Sequence, residues 1–280
     1  MKQDVLVLGA NGMLGYTVTR YLTKFGYRVK GLTRKEFDIA TDGMEKFHEL
    51  AQGSEVIINC AGVIKPLIPS VPVEITNRVN SEFPKKLAKY SSQRSKLCIH
   101  ITSDCVYNGL KGNYSEADPA DAEDLYGRSK AGGDNEDCMT LRTSIIGEER
   151  REPFRCLLEW VRSNSGKKIS GYTNHVWNGV TTTYLAEIIK NILEKNMYTK
   201  GIFHIHSPDT VTKDQLLHLI NDIYELGIEI MPTQTEIKCD RSMTSKFDLS
   251  KSLSTKNLEI QIRELRGFFK SIGANEAQGF

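Results

Sequence analysis

A short apolar run from Asp4 to Leu8 passes directly into Gly9-Ala10-Asn11-Gly12-Met13-Leu14-Gly15, where an amphipathic stretch begins. Few folds accept this order. A buried strand must end, turn tightly at Gly9, and enter a helix packed so close that position 15 has no room for a side chain. The first amides of that helix face outward and favour an anion. A dinucleotide pyrophosphate suits the turn: Gly12 admits the phosphates, and Asn11, Met13 and Leu14 complete the loop. A glycine triplet alone is a weak signal. The strand before it and the helix after it favour binding over a purely structural turn.

The first half of the chain repeats this rhythm. Asp4–Leu8, Arg28–Leu32, Glu55–Cys60, Lys96–Thr102 and Cys138–Arg142 read as strands, rich in Val, Ile, Leu and Cys without clean alternation. Helices are expected over Met13–Phe25, Thr41–Ala51, Glu74–Ser91 and Asp124–Glu136. Pro84 either kinks the third or starts a new helix after Ser81. The pattern predicts an α/β fold, a doubly wound parallel sheet of the Rossmann type. After about Ile146 loops lengthen; helices are expected near Pro153–Arg162, Thr182–Glu194, Lys213–Tyr224 and Glu259–Phe269, and a strand at Ile202–Ile205. Residues 1–150 thus read as a dinucleotide-binding domain. Residues 151–280 read as a smaller C-terminal substrate-binding lobe, with some segments returning to the sheet.

Bulk properties narrow the partners. A net charge of +2 over 280 residues gives no field for nucleic acid. The small cluster Arg150, Arg151 and Arg155 reads either as a solvated loop or as a clamp for a substrate diphosphate. Six separate cysteines form no CxxC pair and show no zinc-ligand spacing with His, so no metal is expected. Several lie in apolar runs, which suits a reducing cytosol. The first strand starts at the N-terminus, so no signal peptide is expected, and no apolar run approaches the ~20 residues of a membrane span. A cytoplasmic protein with no membrane partner is expected; oligomeric state is open, with a homodimer compatible.

The end of the second strand bears on the cofactor. An acid there would accept a ribose 2′-hydroxyl, but the chain reads Thr33-Arg34-Lys35. Arg34 can pair with a 2′-phosphate, which favours NADPH over NADH. Asp38 and Ile39 suit the adenine edge, and Cys60, Ala61 and Gly62 offer small residues beside the adenosine ribose.

Downstream, Thr102-Ser103-Asp104 precedes Tyr126-Gly127-Arg128-Ser129-Lys130. Tyr126 and Lys130, four apart on a helix, share one face. Reducing a ketone requires a hydride on carbon and a proton on oxygen. A phenol ordinarily titrates near ~10, and a neighbouring ammonium is expected to lower that value. Ser103 can polarise the carbonyl oxygen, while Lys130 also holds the nicotinamide ribose. Thr102 is the rival hydroxyl on the cofactor side; strand alternation lets only one of the pair serve. Asn80 could hold a water relaying protons to Lys130.

Five stretches together resemble the extended short-chain dehydrogenase/reductases, and more closely the dTDP-4-dehydrorhamnose reductase family. They are Gly9–Gly15, Thr102–Gly109, Tyr126–Lys130, Leu141–Gly147 and Asn178–Thr182. The Gx₂Gx₂G spacing is typical of that superfamily, and Ser103 stands where the family has threonine. The resemblance implies reduction of a nucleoside-diphosphate 4-keto-6-deoxyhexose at C4 by NADPH, in deoxysugar synthesis for surface polysaccharide. It implies catalytic Ser103, Tyr126 and Lys130, and a substrate side including Ser103, Asp104, Val106, Tyr107, Trp177, Asn178 and Arg241. Glu116 matches a family loop closing near the sugar.

Residues 171–178 are richer in aromatics and His than the rhamnose enzymes. Trp177 could lie on an apolar sugar face and His175 could bind a hydroxyl or phosphate, or both could be structural. Arg241 could equally be a surface charge, and His204 and His206 read as structural. Two alternatives remain: an epimerase that keeps NAD bound, and a non-catalytic NADP-binding regulatory subunit.

Overall fold

The computed structural model describes residues 2–277. The first half holds β1 (Asp4–Leu8), α1 (Met13–Lys24), β2 (Arg28–Leu32), α2 (Met44–Leu50), β3 (Val56–Asn59), α3 (Val73–Asn77), α4 (Phe83–Gln93), β4 (Leu97–Ser103), α5 (Leu125–Gly133) and β5 (Met139–Thr143). Next come β6 (Ile145–Ile146), α6 (Leu157–Ser163), β7 (Lys168–Tyr172), β8 (His175–Trp177), β9 (Val180–Thr181), α7 (Thr182–Glu194) and β10 (Gly201–Ile205). The chain continues through β11 (Val211–Thr212), α8 (Lys213–Tyr224), β12 (Glu229–Thr233), β13 (Cys239–Asp240), α9 (Asp248–Leu253) and α10 (Leu258–Ala277).

Six strands form one parallel sheet in the order β2-β1-β3-β4-β5-β10. The chain winds outward from β1 to β2, then crosses back to place β3 on the other side of β1. That reversal opens a crevice beyond the carboxyl ends of β1 and β3, where ligands bind in open α/β sheets. Both faces are covered. Val5, Val7, Ile58, Ile99 and Leu141 point into one core with α1 and α7, while Leu6, Leu8, Ile57 and Cys98 point into a second with Phe47, Phe83 and Leu87. Neighbouring strand residues thus serve opposite cores, which is why the runs are apolar throughout. Each such buried aliphatic side chain contributes about 1.5–3 kcal/mol.

The helical stretch over Glu74–Ser91 begins afresh after Ser81, one of the two forms expected from Pro84. Between α3 and α4 lies a π-helical turn, Arg78–Glu82, and Pro84 stands in the first turn of α4. Pro84 has no amide to offer the carbonyl four residues back, which is that of Asn80. The freed carbonyl lies against α5, where a Cβ on Gly133 would sit 2.0 Å from the Asn80 oxygen. The break therefore lets the two helices approach. The α2 helix starts at Met44, three residues later than expected, because Asp42 folds back to accept the Asp38 amide at 2.7 Å.

Beyond residue 150, β10 joins the central sheet beside β5, and α7 packs along α1. The remainder forms small pairings: β7 with β12, β8 between β11 and β13, and β6 with β9. The segment after β13 is sewn to the loop after β4. The Asp240 amide donates to Gly109 O at 2.7 Å, the Tyr114 amide to Ser242 O at 2.8 Å, and the Thr244 amide to Tyr114 O at 2.8 Å. Among the described residues no helix is long and apolar enough to cross a membrane, and no cluster of His, Cys, Asp and Glu could hold a metal ion.

Candidate active site

The glycine turn has the geometry that its pattern requires. Gly9 adopts φ +74°, and its amide and that of Ala10 donate to Leu32 O at the end of β2. A Cβ at Gly15 would lie 2.1 Å from the Gly9 carbonyl oxygen, so only glycine lets α1 start there. No side chain caps α1. Its first amides stay open to an anion. At the end of β2, Arg34 is exposed and makes no hydrogen bond or ion pair with the described residues. The nearby acid, Glu36, turns back to accept the Thr33 amide at 2.8 Å. The glycine turn and the open start of α1 fit a dinucleotide. Asp38 lies in a turn, its carboxylate accepting the Ala40 amide at 2.9 Å, and Ile39 is buried with its carbonyl held by Arg78.

The end of β3 joins this turn to the second motif. A Cβ at Gly9 would lie 3.0 Å from Ala61 Cα, and one at Gly62 would lie 3.7 Å from Lys130 Nζ. Cys60, Ala61 and Gly62 thus form a thin wall, with the glycine turn on one side and the α5 ammonium on the other. Burial pushes the Cys60 thiol up to about 12, so it stays protonated.

Ser103 ends β4, and its hydroxyl donates to Asp104 Oδ1 at 3.1 Å while accepting the Cys105 amide at 3.1 Å. Asp124 caps α5 by accepting the Gly127 amide at 2.8 Å, which presents Tyr126 and Lys130 along one face. Gly127 has no room for a side chain, since a Cβ would fall 2.3 Å from Cys105 O. Thr102, the rival hydroxyl, points instead to the Lys130 carbonyl at 3.5 Å.

One expectation needs correction. The phenol of Tyr126 is not softened: burial pushes it well above its ordinary value and Cys105 adds to the rise, while the Ser103 hydroxyl pulls it down. It is therefore protonated at neutrality, the form a proton donor needs. Lys130 is the group brought toward neutrality, lowered by burial to about 8, with its Nζ donating to Ile101 O at 3.1 Å. Asn80 is held firmly in place. Its amide nitrogen donates to Val63 O and Ser129 Oγ, both at 3.0 Å, and its oxygen accepts the Val63 amide at 2.8 Å. With both protons engaged, Asn80 braces the β3 loop against α5, and its oxygen, beside Gly62 on the side of Lys130, accepts one hydrogen bond and can accept from a water as well.

On the substrate side the chain differs from expectation more widely. Val106 and Tyr107 are fully buried. Tyr107 stacks on Tyr114 at 4.1 Å, and its hydroxyl donates to Ser115 O at 3.0 Å and accepts from Arg142 at 2.6 Å. Asn178 is tied to the backbone of Met243, donating at 2.7 Å and accepting at 2.9 Å. Trp177 sits in the main core with its indole nitrogen donating to Ser144 Oγ at 2.8 Å. These four side chains are structural, because their surfaces and polar atoms are already taken. Glu116 braces the lobe: it accepts the His204 amide at 2.8 Å and the Lys246 amide at 3.0 Å. His175 contacts Thr235 Oγ1 at 2.8 Å, anchoring one loop to another. Asp104 and Arg241 do face the end of β4. Arg241 donates to Tyr107 O at 2.8 Å and Asn108 O at 3.2 Å, and the Asp104 charge acts on it.

One cation at this place went unread in the sequence. Lys213, the first residue of α8, stands 4.8 Å over the Trp177 ring, and burial lowers its ammonium against the opposing pull of Asp104. Arg142 and His204 were also missed as a pair. Arg142 ion-pairs with Asp134 in the interior and approaches His204 Nε2 at 3.1 Å.

Residues 1–272 match the family described as RmlD substrate binding domain. A probable low-salt glycan biosynthesis reductase of Haloferax volcanii is 26% identical over 274 residues, covering 90% of each chain. Methionine adenosyltransferase 2 subunit beta of Rattus norvegicus is 25% identical over 271 residues, 88% of this chain and 80% of that one. The solved structure of dTDP-4-dehydrorhamnose reductase from Bacillus anthracis in complex with NADP matches the fold with a TM-score of 0.78 at 18% identity, covering 95% of this chain and 99% of that one. With a glycine turn and a Ser103–Tyr126–Lys130 cluster meeting across one thin wall, this chain belongs to the RmlD substrate binding domain family.

Proposed function

We propose that this chain reduces the C4 keto group of a nucleoside-diphosphate 4-keto-6-deoxyhexose with NADPH. The observation that carries this reading is the meeting of the glycine turn and Lys130 across Ala61 and Gly62, with Ser103 and a protonated Tyr126 beside them. When bound, the reduced nicotinamide supplies a hydride to the carbonyl carbon. Tyr126 gives its phenolic proton to the carbonyl oxygen, so C=O becomes CH–OH and the phenolate is reprotonated from solvent. Ser103 orients that oxygen, and Lys130 stabilises the phenolate as it forms. The exposed guanidinium of Arg34, with Glu36 turned away, supports NADPH over NADH. Residues 1–150 hold the cofactor, and the part beyond closes over the sugar.

The test is direct. Purified protein is mixed with NADPH and, in turn, dTDP-, UDP- and GDP-4-keto-6-deoxysugars, and NADPH absorbance is followed. One substrate should consume NADPH in proportion to product. Tight NADPH binding with no consumption by any of them would sink the reductase reading. That result would favour the second one, a regulatory subunit, which the likeness to methionine adenosyltransferase 2 subunit beta supports.

A further inference from the structure

We infer that Lys213 is a substrate-binding residue, which joins Arg241 in a cationic pair for the diphosphate of the nucleotide sugar beyond the end of β4. Arg241 was a candidate from the sequence; Lys213 was not. The identity of the anion rests on the reductase reading, whereas its charge follows from the site itself.

The start of α8 gives no reason for a cation at Lys213. It is the first residue of α8, a helix already capped: Gln215 N donates to Thr212 Oγ1 at 3.2 Å, and Thr212 N donates to Gln215 Oε1 at 2.8 Å. A positive charge in the first turn opposes the helix dipole, which prefers an acid there. The neighbouring Asp214 supplies one. The ammonium of Lys213 lies 4.8 Å over the Trp177 ring, and that ring is fixed in the core by its bond to Ser144. There the ammonium remains within reach of the charge of Asp104, which follows β4. It makes no hydrogen bond or ion pair with any described residue.

The charges around it do not balance. Asp104 acts on both Lys213 and Arg241, and its Oδ1 already accepts from Ser103. Asp124 also acts on Arg241 but is ion-paired with Lys65 at 2.8 Å. Arg241 uses Nε and Nη2 on the carbonyls of Tyr107 and Asn108, which leaves Nη1 without a partner among the described residues. Two cations therefore share one carboxylate in a partly desolvated place next to the catalytic hydroxyl. A half-buried ammonium whose one close neighbour is an aromatic ring keeps its hydrogen-bonding capacity, and an arriving dianion would use it. A diphosphate carries the right charge and enough acceptors for both groups.

Trp177 is a reporter that does not depend on turnover. The chain has two tryptophans, so Trp160→Phe leaves Trp177 alone. In that background the protein is titrated with dTDP, UDP and inorganic pyrophosphate, and Trp177 emission is followed. At least one nucleotide should give a saturable change. Lys213→Met should weaken that binding about 10- to 100-fold, the loss expected for one charge-assisted hydrogen bond. Lys213→Arg should retain most of it, and NADPH affinity should stay the same in all variants.

Equal nucleotide affinity in Lys213→Met and its parent overturns the inference, as does binding of pyrophosphate with no nucleotide. If nucleotides bind through Lys213 yet no keto sugar is reduced, the inference stands and the reductase reading falls. If a keto sugar is reduced and Lys213→Met leaves KM unchanged, the reading stands and the inference falls.

Discussion

Two buried polar clusters lie a few residues apart around the ends of β4 and β5, and they differ in kind. In one, Tyr107, Arg142, His204, Asp134 and Glu116 bind one another and nearby carbonyls. The Nδ1 of His204 faces the carbonyls of Thr244 at 2.9 Å and Tyr114 at 3.2 Å, so it carries the proton and Nε2 accepts from Arg142. Only Arg142 Nε and Asp134 Oδ1 lack a partner there. In the other, Ser103 and Lys130 are buried and hydrogen-bonded, while Tyr126 and Lys213 are half-buried, and the Lys213 ammonium makes no hydrogen bond or ion pair with any described residue. A network enclosed on all sides fixes a shape, and one that opens to the surface can take a ligand. Polarity alone does not separate the two; access to the surface at Tyr126 and Lys213 does.

The hardest blow to this contrast would come from Tyr126→Phe. Losing a general acid should lower kcat about 100- to 10,000-fold while NADPH binding and the thermal midpoint hold. Steady-state kinetics beside NADPH titration reads this, and full activity would mean that the open cluster is not the proton donor's place. Next, Arg142→Met strands the Asp134 carboxylate in the interior. The closed cluster should then cost about 3–5 kcal/mol in urea unfolding, with part recovered by adding Asp134→Asn. A loss near zero would erase the distinction.

Arg34→Ser should reduce the preference for NADPH over NADH about tenfold, measured as the ratio of the two affinities, with stability unchanged. An unaltered ratio would move the 2′-phosphate contact elsewhere.

The smallest effects are in pH. Unfolded, His204 takes up a proton near 6.5, but folded it resists to about 4 because burial disfavours its charge. Between those values the unfolded chain holds more protons, so stability falls as pH drops through that window. Lys130 is also depressed, from 10.5 to about 8, so its burial costs stability below pH 8 and the cost fades as pH rises toward 10.5. His204→Gln should flatten the acid slope alone, and Lys130→Met the alkaline slope alone. Identical slopes in both variants would contradict the assignment.

The glycine turn could be read in advance because each of its glycines answers a constraint made by residues a few positions away. Ser103, Tyr126 and Lys130 could be located because strand ends and helical spacing are local. Pro84 announced a break in the third helix, yet only the packing of Asn80 O against Gly133 explains why the break takes π form. The β7–β12 pair escaped notice, since Gly171 and Pro232 weaken both strands and their partners are distant in the chain. Trp177 and Asn178 looked like sugar contacts and became core and brace.

Chain order, period and glycine spacing by themselves determined a doubly wound sheet with a turn open to an anion. Periodicity records which residues face inward, because burial repeats with the geometry of strand and helix. It does not record what stands opposite. Arg142 finds His204 and Lys213 faces Asp104 only after strands distant in sequence are laid side by side. Whether a buried polar group was sated or left open was therefore decided by the tertiary structure alone.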